Sequence, residues 1–136
     1  MVMMTGIYEG DKRCEVTHDP SKTKISTDAP KDNNGRGEAF SPTDLIGAAL
    51  GSCILTTIAI IGEKQGIDIK GGSFLVTKSM GPAPRKISEL AVEITLPDRL
   101  NAEERKMLEE LAHTCPVSRS LHPDVSVPVI FHYKAL

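Results

Sequence analysis

The chain has 136 residues, a formal net charge of −2, no Trp and only 4% aromatic residues. That length suits one domain, so a single domain over residues 1–136 is expected, and so mild a charge with so few rings gives no case for nucleic acid or an anionic membrane surface as partner. Three cysteines are an odd, small number for a disulfide framework; in a reducing compartment such residues are reactive, metal-binding or simply buried.

Met1 to Gly10 has neither a basic start nor an apolar central stretch. No export signal is read there, and the cytoplasm is the expected compartment. Residues 6–28 read as short strands, with β-branched residues in 13–18 and 24–27 and a turn at Asp19-Pro20-Ser21. Residues 28–38 form a polar, Gly/Asn-rich loop long enough to cover a site. Ser41-Pro42-Thr43-Asp44 then starts a helix: a capping serine, a proline suited to the first helical position, and an acid at the third. The helix is predicted over 42–65, roughly 36 Å long at 1.5 Å per residue, and Gly66 terminates it.

This run is apolar all round, so it must be buried in protein or lipid. Its length brushes that of a membrane span. Gly47, Gly51, Ser52, Thr56 and Thr57 lie within it and no basic cluster flanks it, which favours a central core helix. Gly47 and Gly51 form a small face at which another helix can approach closely.

Strands follow at 74–80 and 90–96, separated by the turn Gly81-Pro82-Ala83-Pro84. A helix near 102–113 carries a capping box of Asn101 and Glu104, with Leu108, Leu111, Ala112 and Cys115 on one face. A short helix starts at Pro116, and 125–133 closes the chain as a strand in which Pro128 marks an edge or a bulge. The order of elements predicts an α+β domain.

Cys53 sits midway along the long helix, either as a small core hydrophobe or as a nucleophile that needs a nearby cation or hydrogen-bond donor. Cys115 either caps the helix begun by Pro116, where free N–H groups lower a thiol pKa, or continues the apolar face before it. Cys14 reads as an ordinary strand residue. His18, His113, His122 and His132 are scattered and show no metal-ligand spacing. Asp44 and Cys53 are about 13 Å apart along one helix and on opposite faces. Asp44 would therefore serve a site at Cys53 most simply from a partner chain.

The stretch from Phe40-Ser41-Pro42-Thr43-Asp44 through Gly51-Ser52-Cys53 resembles the central-helix motif of the OsmC/Ohr family of thiol peroxidases, and Cys115-Pro116-Val117-Ser118 resembles that family's second cysteine motif. The resemblance implies an OsmC-like intertwined homodimer, with two β-sheets wrapped around long central helices. It implies reduction of organic hydroperoxides, and often hydrogen peroxide, with no metal and no bound cofactor. Cys53 would be the attacking thiolate, and Cys115 would condense with its sulfenic acid. A dithiol, in the family a lipoyl group on a protein, would restore both thiols. No nucleic acid and no membrane enter this scheme.

The family also holds the thiolate with an arginine oriented by an acid. Tyr8 to Arg13 resembles the stretch that carries the arginine, which nominates Arg13, with Arg36 in reserve. The family's peroxidases have Pro-Glu where this chain has Pro42-Thr43, and Asp44 follows one position later. Asp44 either substitutes for that glutamate or only caps the helix. This departure keeps a second reading open: a redox sensor or a module binding a small apolar ligand, using the same cysteine pair.

Overall fold

The structure, a computed structural model, describes residues 1–136. The chain forms two compact units, Met1–Ile46 and Gly47–Leu136.

In the first unit, β1 (Met4–Gly10), β2 (Arg13–His18) and β3 (Lys24–Asp28) form an antiparallel meander in the order β1-β2-β3. Its first turn is tight: Gly10, Asp11 and Lys12 all have positive φ, of 90°, 51° and 64°. The turn makes Arg13 the first residue of β2, directly opposite Asp28 at the end of β3. One face of the meander carries Met4, Tyr8 and Ile25, all exposed. Asp28, expected as the start of the loop, belongs instead to β3, and the loop after it contains one 3-10 turn, Lys31–Asn33.

The helix α1 (Pro42–Lys64) begins as predicted. Asp44 N–H donates to Ser41 Oγ at 3.1 Å and Ser41 N–H donates back to Asp44 Oδ2 at 2.9 Å, a reciprocal cap. Its end is equally local. Gly66 takes φ +73°, Ile67 N–H donates to Gly62 O at 2.9 Å and Gly66 N–H to Glu63 O at 3.1 Å. These are the two bonds of a Schellman motif, which needs a residue without a Cβ at that corner.

In the second unit, β4 (Ser73–Met80) and β5 (Ile87–Pro97) are an antiparallel pair, and β6 (Val129–Lys134) runs parallel to β5. The parallel pairing requires a crossover, supplied by α2 (Ala102–Glu109) and α3 (Pro116–Ser120). β6 is an edge strand; Pro128 just precedes it, its carbonyl accepts Val92 N–H at 2.8 Å, and because it has no N–H to donate the pairing is interrupted between the Glu89–Ser126 bridge and β6. On β5, Leu90, Val92, Ile94 and Leu96 alternate onto one face and form the core with Leu50, Ile54 and Ile58 of α1 and Leu108 of α2.

Two expectations are corrected here. The apolar character of α1 does not bury it all round: Leu50, Ile54 and Ile58 have no exposure, whereas Ile46 is 40% and Ile60 56% exposed, with Ser52 and Thr56 along the same open stripe. By length and composition α1 is apolar enough to cross a membrane, yet its buried face builds the protein core. The small face of Gly47 and Gly51 receives strand side chains, not another helix. A Cβ at Gly47 would lie 3.3 Å from Val76 Cγ1, and one at Gly51 would overlap the Phe74 ring, 2.6 Å from its Cε2.

The helix predicted over 102–113 stops at Glu109, and the residue before Pro116 is extended, as a proline requires. Cys115 accordingly has φ −69° and ψ 151°. The chain tightens toward it through bonds three residues apart: Leu111 N–H to Leu108 O, Ala112 N–H to Glu109 O and Thr114 N–H to Leu111 O.

Gly51→Ala is expected to destabilise the fold by about 1–3 kcal/mol through overpacking against Phe74. The measurement is the urea midpoint at unchanged slope. Phe74→Leu in the same chain should recover part of the loss, and a Gly51→Ala midpoint equal to wild type would show that the ring moves aside freely.

Candidate active site

Two clusters of reactive side chains stand out, one in each unit. In the second unit, Cys53 lies between Leu50 and Ile54, which are fully buried, and the open stripe of Ser52 and Thr56; it is half-buried. Cys115 has no exposed surface and sits in the same core. The two thiols lie near enough for Cys53 to bear on the titration of Cys115, and both are free. The structure thus brings together the two cysteines singled out in the sequence, although 61 residues separate them in the numbering.

Both readings of Cys115 hold at once. It is the N-cap of α3, accepting Ser118 N–H on Sγ at 3.4 Å, and it is a core residue packed beside Leu108. The expected consequence of the cap, a lowered thiol pKa, is overturned. Burial pushes the Cys115 thiol up; the Ser118 N–H opposes this, and the hydrogen bond and charge of Cys53 raise it further. Burial therefore favours the protonated form of Cys115.

In the first unit, Arg13 donates from Nε to Asp28 Oδ1 and from Nη2 to Asp28 Oδ2, both at 2.8 Å. Glu38 Oε2 lies 3.5 Å from the same Nη2. The Asp28 side chain has no exposure and also accepts Glu38 N–H at 3.0 Å. The arginine holds the Asp28 carboxyl below the usual range, and Asp28 holds the guanidinium still more firmly protonated. Arg36, the reserve candidate, pairs with Asp11 at 2.7 Å on the surface. Asp44 is not among the partners of Arg13; its carboxylate takes part in the cap of α1.

Cys14 is a free thiol on β2 opposite Tyr8 and Thr27. No three His, Cys, Asp or Glu side chains converge in a way that would hold a metal ion.

The family model described as OsmC-like protein matches residues 35–129, about seven-tenths of the chain. The chain belongs to this family. Among solved structures, a candidate osmotic stress induced and detoxification response protein from Psychrobacter arcticus 273-4 is similar to this OsmC-like chain at 45% identity, covering 97% of this chain and 96% of that one with a TM-score of 0.92. An organic hydroperoxide resistance protein OsmC from Legionella pneumophila, also described as a predicted redox protein, shares the fold at 23% identity, 96% coverage of each chain and a TM-score of 0.74. The organic hydroperoxide resistance protein OhrB of Bacillus subtilis does so at 19% identity, covering 97% of this chain and 98% of that one, with a TM-score of 0.73. A search of curated proteins gave no match.

Sequence reasoning missed Asp28 and Glu38, which it placed in the loop without a role. The signal was present in the meander. Once Cys14 pairs with Thr27 and Val16 with Ile25, the antiparallel register sets Arg13 opposite Asp28.

Two outcomes follow from these environments. At pH 7, iodoacetamide should modify Cys53 faster than Cys115, since Cys115 has no exposed surface and burial disfavours its thiolate. Peptide-resolved mass spectrometry reads this, and equal rates would contradict the burial of Cys115. Asp28 has a depressed folded pKa, so its stabilisation is complete above its ordinary value near 3.9 and is lost as pH falls through the folded value. Asp28→Asn should then be less stable than wild type at pH 7, with the gap in urea midpoint closing below about pH 4; a gap constant down to pH 2 would contradict the pairing.

Proposed function

We propose that this OsmC-like protein is a cysteine-based hydroperoxide reductase acting on organic hydroperoxides. The observation that carries the reading is the pair of free thiols, Cys115 fully buried in the core and Cys53 half-buried and packed against it. The hydroperoxide resistance described for the Legionella and Bacillus proteins supports the substrate class by family relationship.

The Cys53 thiolate attacks one oxygen of ROOH, the O–O bond breaks, and ROH leaves with a proton from solvent; Cys53 is now a sulfenic acid. Cys115 then attacks the Cys53 sulfur. The S–S bond forms, the S–OH bond breaks, and the Cys115 proton leaves with the hydroxyl as water. Cys115 attacks as its thiolate, and the proton it gives up is the one that water formation needs. An external dithiol, such as a lipoyl group on a protein, attacks the disulfide and regenerates both thiols while becoming a disulfide itself.

Arg13 is the proposed thiolate-stabilising group, because its guanidinium stays charged and donates several hydrogen bonds. The working form is a homodimer in this reading. The open stripe of α1 and the exposed Tyr8 and Ile25 on the first sheet support it, since single chains seldom leave so much apolar surface uncovered. Three free cysteines suit the cytoplasm, where dithiol reductants are maintained.

The test is steady-state loss of cumene hydroperoxide, first with dithiothreitol and then with a lipoyl dithiol. Many turnovers per chain are expected. Cys53→Ser should abolish them, and Cys115→Ser should allow one oxidation of Cys53 and then stall the cycle or drive over-oxidation. Stoichiometric oxidation without cycling in the wild type would favour a redox sensor, and equal tolerance of both substitutions would sink the two-cysteine mechanism.

A further inference from the structure

The acid that aims Arg13 sits at the end of β3, not at the start of α1. Arg13 and Asp28 are direct cross-strand partners of β2 and β3, so their side chains stand side by side on one face of the sheet. Two parallel bonds of 2.8 Å join them, from Nε to Oδ1 and from Nη2 to Oδ2. Such a fork fixes the plane of the guanidinium as well as its position. The carboxylate is itself held: it accepts Glu38 N–H at 3.0 Å, and the Asp28 backbone N–H donates to Phe40 O at 3.0 Å. Both bonds use the Nε–Nη2 edge, which leaves Nη1 to donate elsewhere. Glu38, 3.5 Å from Nη2 and with its side chain 61% exposed, contributes charge without direction.

We propose that Asp28 is the positioning residue of Arg13, locking the Nε–Nη2 edge of its guanidinium in one plane and leaving Nη1 as the free donor. This rests on the reading of Arg13 as the thiolate-stabilising group. Asp28 would do here what the family's helix-start glutamate does, in a chain with Thr43 at that place.

A carboxylate acts on the thiolate in two opposite senses. Its charge offsets that of Arg13 and disfavours the thiolate; its hydrogen bonds hold the long arginine side chain in one orientation and favour it. The sign of the change on removing the charge therefore separates positioning from simple neutralisation.

The experiment is the pH dependence of Cys53 alkylation, resolved by peptide mass spectrometry, for the full chain as wild type, Arg13→Ala, Asp28→Asn, Asp28→Glu and Arg13→Ala/Asp28→Asn, with folding checked by circular dichroism. Asp28→Asn should raise the apparent pKa of Cys53 in the same direction as Arg13→Ala. It should lower kcat/KM for cumene hydroperoxide roughly tenfold, the equivalent of one pKa unit, and add nothing in the Arg13→Ala background. Asp28→Glu keeps the charge but shifts the fork by one methylene, so a smaller change of the same sign is expected; it carries the test where Asp28→Asn does not fold. An Asp28 variant whose thiol pKa is unmoved or lowered, beside an Arg13→Ala profile that does shift, overturns the proposal and leaves the reading of Arg13 standing. An unmoved Arg13→Ala profile overturns both.

Discussion

Burial of one face of α1 against the inner face of β5 sets the position of Cys53. Leu50, Ile54 and Ile58 have no exposed surface and meet Leu90, Val92, Ile94 and Leu96. Each such side chain contributes about 1.5–3 kcal/mol by leaving water, so rotating the helix about its axis would forfeit several of them together. With that rotation fixed, Cys53 falls at the margin between the buried face and the open stripe of Ser52 and Thr56. The same packing needs Gly51, which lets the Phe74 ring lie against the helix backbone two residues before Cys53. Core and site are therefore not separable: the residues that stabilise the second unit also determine that Cys53 is half-buried beside a wholly buried Cys115.

Cys115 shows how local and tertiary influences compete for one group. Pro116 forces the residue before it into an extended conformation and begins a helix, so Cys115 becomes a cap whatever surrounds it. The N–H of Ser118 does reach its sulfur. A cap stabilises a thiolate by one hydrogen bond and part of a small dipole, and α3 has only five residues. Complete removal from water penalises the charged form more, so the net effect is a thiol that holds its proton. In the proposed cycle Cys115 gives up that proton as it attacks the oxidised Cys53.

The electrostatics of the first unit follow from a short meander. Tight turns at Gly10–Lys12 and near Asp19 fix a register in which a cation at the start of β2 faces an anion at the end of β3. Asp28 is fully buried, and it is matched by a bidentate guanidinium and a backbone N–H, which is the condition under which a buried carboxylate is tolerated. The helix-start acid, Asp44, meets a different demand: the first turn of α1 has free N–H groups, and Ser41 and Asp44 satisfy each other there.

The sequence alone determined the features written in contacts three or four residues long. The Ser41–Asp44 cap, the Gly66 terminator, the Asn101–Glu104 capping box and the start of α3 at Pro116 were all legible, because their hydrogen bonds close within one turn of chain. The two cysteine motifs were legible as a resemblance. Tertiary structure decided which carboxylate meets Arg13, that the Gly47–Gly51 face receives strand β4, that α1 keeps one side open, and which way the Cys115 pKa moves. Each of these depends on desolvation or on a partner at least 15 residues away. Spacing along a chain carries the geometry of a helical turn; it carries neither the register of a distant strand nor the water that packing removes.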